Sequence, residues 1–599
     1  MVTEPKSESH GAAEHDPFTL ELVKNRLVSI ADEMALTITR TARSILVKEA
    51  LDFSTALFNA KGDMVAQGTC LPLHLGALPF AVAAVLRRFG DDLHPGDVFA
   101  LNDPYDGGTH LPDIVCVKPV FVDQTLVGHS ACLVHMTDIG GRVPGGNATD
   151  STELFQEGLC LPPVALFRGG QPNQALMDII ARNVRVPDVV LGDLRSQIAA
   201  CQVGERGLLE LIRTYGVQGF IRYSAELLDY TERFTRSEIR KLQAGTYHFS
   251  DFLDGDGLGA HRIELRVAVT IADDTMCVDF TGSSPQVRGA INSVLPFTCS
   301  AAWACVRSVL DRGIPNNSGY FRPIRIVAPL GTIVNPQAPA AVAARGITAF
   351  RLADALFGAL AQVRPDLVPA AGGSAPEVGL SFGGHDASGK PFVFVDFLVG
   401  SWGGGPWRDG MDGCTGMIAN VSNTPTEVVD SELPLTITRY GFVTDSAGAG
   451  RWRGGLALQR CIRVLADEAV MQVRSDRRDI PPYGLEGGRS GAASAITIRR
   501  ADGTVEQPPA KFITTVRKGD EVCVRLASGG GYGDPLERDP QRVLLDVLEH
   551  KLTHAAAKAD YGVAIGGDPP IVDAETTRVL REHMRRPAPR QEGSALGVQ

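Results

Sequence analysis

Two histidine–aspartate pairs, each spaced as His-x-x-Asp, stand at the two ends of an apolar stretch within residues 102–146. The first pair is His110 and Asp113, and the second is His135 and Asp138. Imidazole nitrogen and carboxylate oxygen are ligands suited to Zn²⁺, Mn²⁺ or Fe²⁺, and two histidines with one carboxylate leave positions open for water or substrate. One such pair alone is commonly a hydrogen-bonded surface pair. When two such pairs stand at the ends of one apolar hairpin that is bounded by glycine-rich turns, a metal site is as good an interpretation as a pair of surface hydrogen bonds.

The stretch between the two pairs predicts a β-hairpin. Residues 113–122 and 126–135 are apolar runs rich in valine, and Asp-Gln-Thr lies between them as a turn. If the loop has three residues centred on Gln124, Asp113 lies directly across the ladder from His135. Opposed Cβ atoms are then roughly 4.5–5.5 Å apart, and both side chains can share one ion. A two-residue loop would shift the register by one and place these side chains on opposite faces.

Two further features concern histidines outside the hairpin. His110 follows a Gly-Gly turn just upstream of the hairpin, and we expect it to fold back to the same point. His74 lies in the segment LPLHLG with apolar neighbours on both sides, which is typical of a buried core histidine. It becomes a candidate catalytic group only if the metal region folds against it.

Composition limits the class of protein. The chain has 599 residues, 44% hydrophobic and 21% charged, which is typical of a soluble protein with several domains. A net charge of −11 without a basic stripe argues against a nucleic-acid partner. No apolar run reaches the roughly 20 residues of a membrane span. The 11 cysteines contain no C-x-x-C pair, so neither a thiolate zinc site nor a disulfide framework is expected, and a reducing cytoplasm is the simplest location.

The order of predicted elements indicates an α+β, multidomain chain with a large antiparallel β component and helical insertions. Helical periodicity covers residues 17–43 and, with a break at Pro187, residues 174–242. Alternating strand patterns dominate later, including a predicted pairing of 494–499 with 512–516. The predicted division is a disordered tail at 1–16, an N-terminal α+β metal-site domain with a helical segment at 17–243, a β-rich domain with interrupting helices at 244–535, a helical element at 536–565 and a flexible tail at 566–599.

Two glycine-rich segments are candidates for phosphate or ligand sites. The chain has no G-x-x-x-x-G-K-[ST] motif. SWGGGPWRDGMDG at 401–413 lets backbone approach a ligand closely, or equally forms a loop that packs on another domain. SGGGYGDP at 528–535 is open to the same two interpretations, with a structural turn favoured.

Several long motifs, in order, resemble those of the hydantoinase B/oxoprolinase family. They are DFSTALFNAKGDMVAQG, NDPYDGGTHLPDI, HMTDIGGRVPG, QEGLCLPPV and SGGGYGDPLERDP. The resemblance extends over residues 17–563. That family includes ATP-dependent N-methylhydantoinases, oxoprolinase and caprolactamase, together with related subunits of acetone and acetophenone carboxylases. The motifs are specific for the family and do not specify a substrate.

The resemblance implies a metal-ligand set in this chain. The ligands would be Asp52 of the DFS motif, His110 and Asp113 of THLPD, and His135 of HMTD. Asp138 would then lie behind the ligands, where it holds the imidazole tautomer or a bound water. Zinc is the metal in some members of the family and manganese in others.

The resemblance also implies a reaction and a partner. Family members work with a hydantoinase A-type subunit that has an ATP-binding, kinase-like fold. In the resembling amidases that partner phosphorylates the lactam carbonyl oxygen, and the B-type chain directs water at the activated carbon. In the resembling carboxylases an enolate carbon attacks carbon dioxide instead. A third possibility is a scaffold subunit with an inert site, against which the intact ligand set argues.

Overall fold

The structure is a computed structural model that describes residues 16–74, 76–373 and 378–585. The predicted break between two helices at Pro187 is confirmed, because this proline begins the long helix at a position whose N–H needs no partner. Within the described residues the helices are α1 (Pro17–Thr41), α2 (Ile45–Lys48), α3 (Leu78–Phe89), α4 (Gln174–Asn183), α5 (Pro187–Ile239), α6 (Leu295–Val309), α7 (Ser318–Phe321), α8 (Arg345–Ala361), α9 (Thr426–Glu432), α10 (Pro540–Leu548), α11 (His554–Tyr561) and α12 (Ala574–Arg585).

The first sheet carries the hairpin that the sequence predicts. Its strands are β1 (Phe53–Asn59), β2 (Met64–Gln67), β3 (Val98–Leu101), β4 (Asp113–Val122), β5 (Thr125–His135), β6 (Val164–Arg168) and β7 (Gln171–Pro172), in the spatial order β2-β1-β5-β4-β3-β6-β7. Helices α1 and α5 cover one face, and α3 covers the other. Because both faces are covered, β4 and β5 are buried along most of their length, which explains their continuous apolar runs.

The register of the β4–β5 pair places Asp113 opposite His135, as predicted. The loop itself differs from the prediction, because it contains only Asp123 and Gln124, with Asp123 at φ 53°. A two-residue loop would put the two site residues on opposite faces. An extra residue on β5, Val127, forms a bulge that moves the register by one more position. The bulge therefore restores the pairing that the shorter loop would have lost.

A second sheet completes the core around the first. It consists of β8 (Gly245–Gly255), β9 (His261–Ala272), β10 (Thr275–Asp279) and β11 (Ile324–Val327), in the order β11-β10-β9-β8, and it packs against α8. Its buried side chains share one continuous core with the first sheet, from Val23 to Val421. Residues from both sides of the predicted division between 243 and 244 contribute to this core, and the division itself stays a prediction.

Two further sheets pack face to face around a second core, from Leu380 to Leu526. Their strands are β12 (Val378–His385), β13 (Pro391–Leu398), β14 (Leu435–Phe442), β15 (Leu458–Val464), β16 (Glu468–Ser475), β17 (Ala495–Arg499), β18 (Val505–Glu506), β19 (Lys511–Arg517) and β20 (Glu521–Arg525), in the orders β13-β12-β16-β19 and β14-β15-β20-β17-β18. The predicted pairing of 494–499 with 512–516 is wrong, since β17 pairs with β18 and β20 while β19 pairs with β16. Alternation identifies a strand but not its partner.

A disulfide bond joins two neighbouring strands of the second of these sheets. Cys461 and Cys523 stand opposite each other on β15 and β20, with their Cα atoms 4.0 Å apart. The two residues are 62 positions apart in the chain, so their spacing in the sequence carried no sign of this contact. The cysteine spacing predicts no disulfide framework, and it does not anticipate this single bond.

The two glycine-rich segments at 401–413 and 528–535 pack against each other. The N–H of Gly404 donates to the carbonyl of Gly530 (2.8 Å), and the N–H of Gly530 donates to the carbonyl of Ala371 (2.9 Å). A Cβ atom at Gly530 would lie 2.1 Å from the carbonyl oxygen of Tyr483. These glycines permit close approach of backbone to backbone, so the structure favours the packing role over a ligand site.

The ordered chain continues beyond the predicted helical element. Strands β21 (Ala564–Gly566) and β22 (Ile571–Asp573) pair, and α12 packs on both. The prediction of a flexible tail from residue 566 is therefore wrong as far as Arg585. Residues 586–599, and residues 1–15 of the predicted tail at 1–16, lie outside the described residues. Among the described helices, none has both the length and the apolar character needed to cross a membrane.

Candidate metal centre

The hairpin brings His110, Asp113 and His135 to one point. All three side chains are buried, and one ligand atom of each lies within 4.8 Å of the others. Asp113 begins β4 and His135 ends β5, so strand pairing places them side by side. His110 joins them through a tight turn, in which the N–H of Asp113 donates to the His110 carbonyl (3.0 Å). Three of the four side chains proposed as ligands thus lie together.

Backbone carbonyls determine the tautomer of both histidines. Nδ1–H of His110 donates to the carbonyl of Ala343 (2.9 Å), and Nδ1–H of His135 donates to that of Met136 (3.0 Å). Because a carbonyl oxygen only accepts, each ring presents an Nε2 lone pair to the cavity side. Burial lowers the pKa of His110 to about 4, so this ring is neutral near pH 7. Nε2 of His135 is buried without a hydrogen-bond partner among the described residues.

The acceptors around this point fit a divalent cation. The Nε2 lone pair of His110 faces Oδ1 of Asp113 at 3.1 Å, so two acceptors oppose each other. Burial acts to raise the pKa of Asp113, but the charge of Arg345 and the interactions with His110 and His74 together outweigh burial and hold that pKa well below its usual range. Ligands that share one Zn²⁺ at about 2.0–2.1 Å stand about 3.0–3.4 Å apart. One anionic oxygen and two neutral imidazoles are a donor set for a first-row metal.

Asp52 lies beside these side chains, directly before β1. It is buried and lines the same cavity, and its backbone carbonyl accepts the N–H of His135 (3.1 Å). Burial, reinforced by the charge of Asp113, raises the pKa of Asp52 to about 7. The preceding Leu51 has a φ of 61°, an unusual conformation for leucine at the bend that leads to Asp52. Asp52 is outside the group of three, so its ligand role stays a prediction from the family resemblance.

Asp138 does not hold the imidazole of His135, so this part of the expectation is wrong, while its alternative role of holding a bound water stays a prediction. Its carboxylate accepts the backbone N–H groups of Gly140 (3.3 Å), Gly145 (3.0 Å) and Arg185 (2.7 Å), together with the Arg185 guanidinium (3.1 Å). It therefore ties the glycine turn to the chain that leads into α5, and it does not line the cavity. The physical reason is that β5 ends at His135, so the chain has turned away before residue 138.

His74 meets the condition that the sequence set for it. It is buried, and it lines the same cavity as His110 and His135. Its Nδ1 lies 3.1 Å from Oγ of Ser54, and burial lowers its pKa to about 4. The metal region therefore folds against His74, and its catalytic role stays a prediction.

Two arginines that the sequence analysis did not single out complete the cavity wall. Arg345 begins α8, donates to the carboxylate of Asp113 and lies 3.9 Å from the ring centroid of Phe297. Arg474, near the end of β16, lies 5.0 Å from the ring centroid of Phe397. The available signal was a basic residue inside an apolar segment, AAVAARGITAF and AVMQVRS, which is uncommon in a core without a partner.

Glu157, from the motif QEGLCLPPV, supports the loop that contacts His110. Its Oε1 accepts the backbone N–H groups of Val342 (2.8 Å) and Ala343 (2.9 Å). The carbonyl of Ala343 in turn accepts the proton of His110 Nδ1. Glu157 therefore positions His110 through one peptide unit, an arrangement common behind metal-binding histidines.

Glu157→Gln is expected to reduce the dependence of stability on pH between about 4.5 and 8. Burial raises the pKa of Glu157 from 4.5 to about 8, so the folded state holds this proton more tightly than the unfolded chain. The resulting stabilisation is complete below pH 4.5 and is lost as the pH rises through 8. Thermal unfolding of both proteins across this range measures the effect, with the exposed Glu427→Gln as control. Equal pH slopes in wild type and Glu157→Gln would contradict it.

The sequence matches the model of one protein family and several named relatives. The hydantoinase B/oxoprolinase family model matches residues 16–535. A protein of Pseudomonas sp. (strain NS671), named as the B component of a D-/L-hydantoinase, is 35% identical over 585 residues, covering 95% of this chain and 98% of that protein. The beta chain of the caprolactamase of Pseudomonas jessenii is 33% identical over 573 residues, covering 94% and 98%.

Solved structures share the fold. The crystal structure of the ATP-dependent caprolactamase from Pseudomonas jessenii superposes with a TM-score of 0.90 at 32% identity, covering 95% of this chain and all of that chain. The nucleotide-free structure of acetone carboxylase superposes with a TM-score of 0.89 at 21% identity, covering 96% and 83%. At that identity the second likeness shows the fold alone. The predicted α+β, multidomain class with several antiparallel sheets is confirmed.

Proposed function

The chain belongs to the hydantoinase B/oxoprolinase family, and on that premise we propose that it is the metal-containing subunit of an ATP-dependent cyclic-amide hydrolase. Its substrate would be a lactam activated by phosphorylation. The observation that carries the proposal is the buried group of His110, Asp113 and His135, with both Nε2 lone pairs left open by backbone hydrogen bonds. The names of these two relatives, at 35% and 33% identity, one from a hydantoinase and one from a caprolactamase, support the reaction class.

The residues that would hold the metal are Asp52, His110, Asp113 and His135, and Zn²⁺ or Mn²⁺ suits them. When bound, such an ion lowers the pKa of water to about 7 and so makes it a nucleophile at neutral pH. Arg345 contributes a fixed positive charge on the outer oxygen of Asp113, which keeps that carboxylate ionised and in place.

The rest of the cavity suits a ring compound. Phe297, Phe350 and Phe397 line it and provide apolar walls against which a ring can pack. Asn147 donates from Nδ2 to the carbonyl of Gly145 (3.0 Å), while its Oδ1 has no hydrogen-bond partner among the described residues. That free acceptor lines the cavity, where it suits the ring N–H of a cyclic amide.

We assign the activation step to a partner subunit of the hydantoinase A type, with an ATP-binding, kinase-like fold. An ordinary amide resists attack by water because resonance stabilises it, so phosphorylation of the carbonyl oxygen is needed first. Both named relatives are single components of enzymes with more than one chain, which supports a division of the reaction between two chains. The caprolactamase that shares the fold at 32% identity is ATP-dependent, and this supports ATP as the energy source.

The test is an assay of the complex with its partner. ATP hydrolysis and product formation are measured with hydantoins, oxoproline, caprolactam and ketones, each with and without bicarbonate. Turnover of a cyclic amide without bicarbonate is the expected result. Bicarbonate-dependent turnover of a ketone would replace this proposal with that of a carboxylase subunit, whose fold the chain shares.

A further inference from the structure

Two buried arginines face the same small cavity as the proposed metal ligands. Arg345 is 6% exposed and Arg474 is 5% exposed, and both line the cavity together with Asp52, His110 and His135. They come from different parts of the fold, the first residue of α8 and the end of β16. Burying a guanidinium is costly unless each charge and each N–H finds a partner.

Neither arginine has a hydrogen-bond partner for all of its N–H groups. Arg345 donates to Asp113, but its Nε is buried without a hydrogen-bond partner among the described residues. Arg474 rests on the ring of Phe397, and its Nη1 is likewise buried without a partner in the described chain. No carboxylate within the described residues forms an ion pair with Arg474. The unused N–H groups are donors that a bound anion would satisfy.

The guanidinium of Arg474 occupies space that a glycine on the neighbouring strand leaves free. Gly379 on β12 stands directly across from Arg474 on β16, and a Cβ atom there would lie 2.6 Å from the guanidinium carbon. Only a residue without a side chain allows the guanidinium to lie across the neighbouring strand at this point. Together with the stacking on Phe397, this contact fixes the plane of the arginine beside the cavity.

The unused N–H groups of the cavity wall fit a phosphoryl group. Arg345 and Arg474 both line the cavity with a guanidinium N–H that has no partner among the described residues. A phosphoryl group carries close to two negative charges and several acceptor oxygens, and arginine binds it through paired N–H groups. A neutral amide offers these donors one carbonyl oxygen and no negative charge.

We propose that Arg345 and Arg474 bind the phosphoryl group of the activated substrate and hold its carbonyl carbon beside the metal ligands. This inference rests on the proposed function, since it takes the phosphorylated lactam as the ligand. The same chemistry would hold inorganic phosphate after it is released. Arg474 contacts the phosphoryl group directly in this scheme, and it is the better residue to test. Replacing Arg345 would also leave Asp113 without its partner.

The first arm of the test is binding of inorganic phosphate to the metal-loaded chain, followed by titration calorimetry. Wild type is expected to bind phosphate, and Arg474→Gln is expected to bind it at least tenfold more weakly. Arg474→Lys is expected to have an intermediate affinity, because lysine keeps the positive charge but lacks the paired N–H donors of the guanidinium. Metal content and thermal unfolding are measured in parallel and are expected to stay unchanged. The control is Arg517→Gln on the adjacent strand β19, which removes the same charge from an exposed position. Equal phosphate affinity in wild type and Arg474→Gln would overturn the proposal, as would the absence of phosphate binding to wild type.

The second arm uses the complex with its partner, and it separates the activated substrate from free phosphate. With a cyclic amide that wild type turns over, Arg474→Gln is expected to lower kcat/KM at least tenfold while the metal is retained. An unchanged kcat/KM would overturn the assignment to the activated substrate, even if phosphate binding were weaker. If no cyclic amide is turned over while phosphate binding still depends on Arg474, the proposed function fails and the anion site stands.

Discussion

Asp113→Asn is expected to weaken metal binding by about 100-fold or more and to abolish turnover by the complex. Oδ1 of Asp113 faces the Nε2 lone pair of His110 at 3.1 Å, and its other oxygen accepts from Arg345. Asparagine keeps the shape but loses the negative charge, so the donor set becomes neutral while the Arg345 cation stays in place. Metal content after gel filtration, measured by atomic emission, checks the result.

Asparagine is preferred to alanine because of the fold. Asparagine keeps an amide oxygen that can still accept from Arg345, whereas Asp113→Ala would remove both the charge and the acceptor, and breaking a buried ion pair outright costs about 3–5 kcal/mol. With such a loss of stability, a folding defect could not be separated from a loss of metal binding. The control is Asp150→Asn, which breaks an ion pair with Arg142 at the surface (2.9 Å), where such pairs contribute about 0–1 kcal/mol. A variant at Asp113 that kept one metal per chain would exclude this residue as a ligand.

Gly530→Ala is expected to destabilise the protein by about 3 kcal/mol, the largest effect of a single methyl group that we predict. Its Cβ would lie 2.1 Å from the carbonyl oxygen of Tyr483 and 2.6 Å from the carbonyl carbon. Both atoms belong to backbone, so no side chain can rotate away. The N–H of Gly530 also donates to Ala371, which limits any shift of the loop. Thermal and urea unfolding measure the change.

The matched control is Gly441→Ala on β14. A Cβ atom there meets nothing within 4 Å, and the backbone has no positive φ, so the change is expected to stay within about 0.5 kcal/mol. If Gly530→Ala and Gly441→Ala unfold at the same temperature, the close packing of the two glycine-rich segments is not what stabilises this region.

The hairpin and three of its side chains were predictable because the information is local. His110, Asp113 and His135 lie within 26 positions, and the apolar runs between them define two strands. The pairing of Asp113 with His135 was predicted for a three-residue loop, whereas the chain uses two loop residues and a bulge at Val127. Because both faces of these strands are covered, the continuous apolar runs identified the two strands, while the bulge at Val127 decided which side chains stand opposite each other.

The remainder of the site depends on contacts that no local pattern contains. Arg345 reaches Asp113 across 232 positions of chain, and Glu157 reaches Ala343 across 186. Asp138 has the spacing of a second pair, yet β5 ends before it and its carboxylate binds the glycine turn and Arg185. Spacing in the chain predicts which side chains can meet only while the backbone between them keeps one regular geometry.

The sequence by itself thus determined the family, the fold class, the hairpin and the types of side chain proposed as metal ligands. Periodicity and motif order are properties of short segments, and each segment carries them independently of the rest. The tertiary structure alone decided which of these side chains face one cavity, and it added the two arginines that make that cavity an anion site. Burial, charge balance and unpaired hydrogen-bond donors are properties of the whole packed chain, because each depends on residues brought together from distant segments.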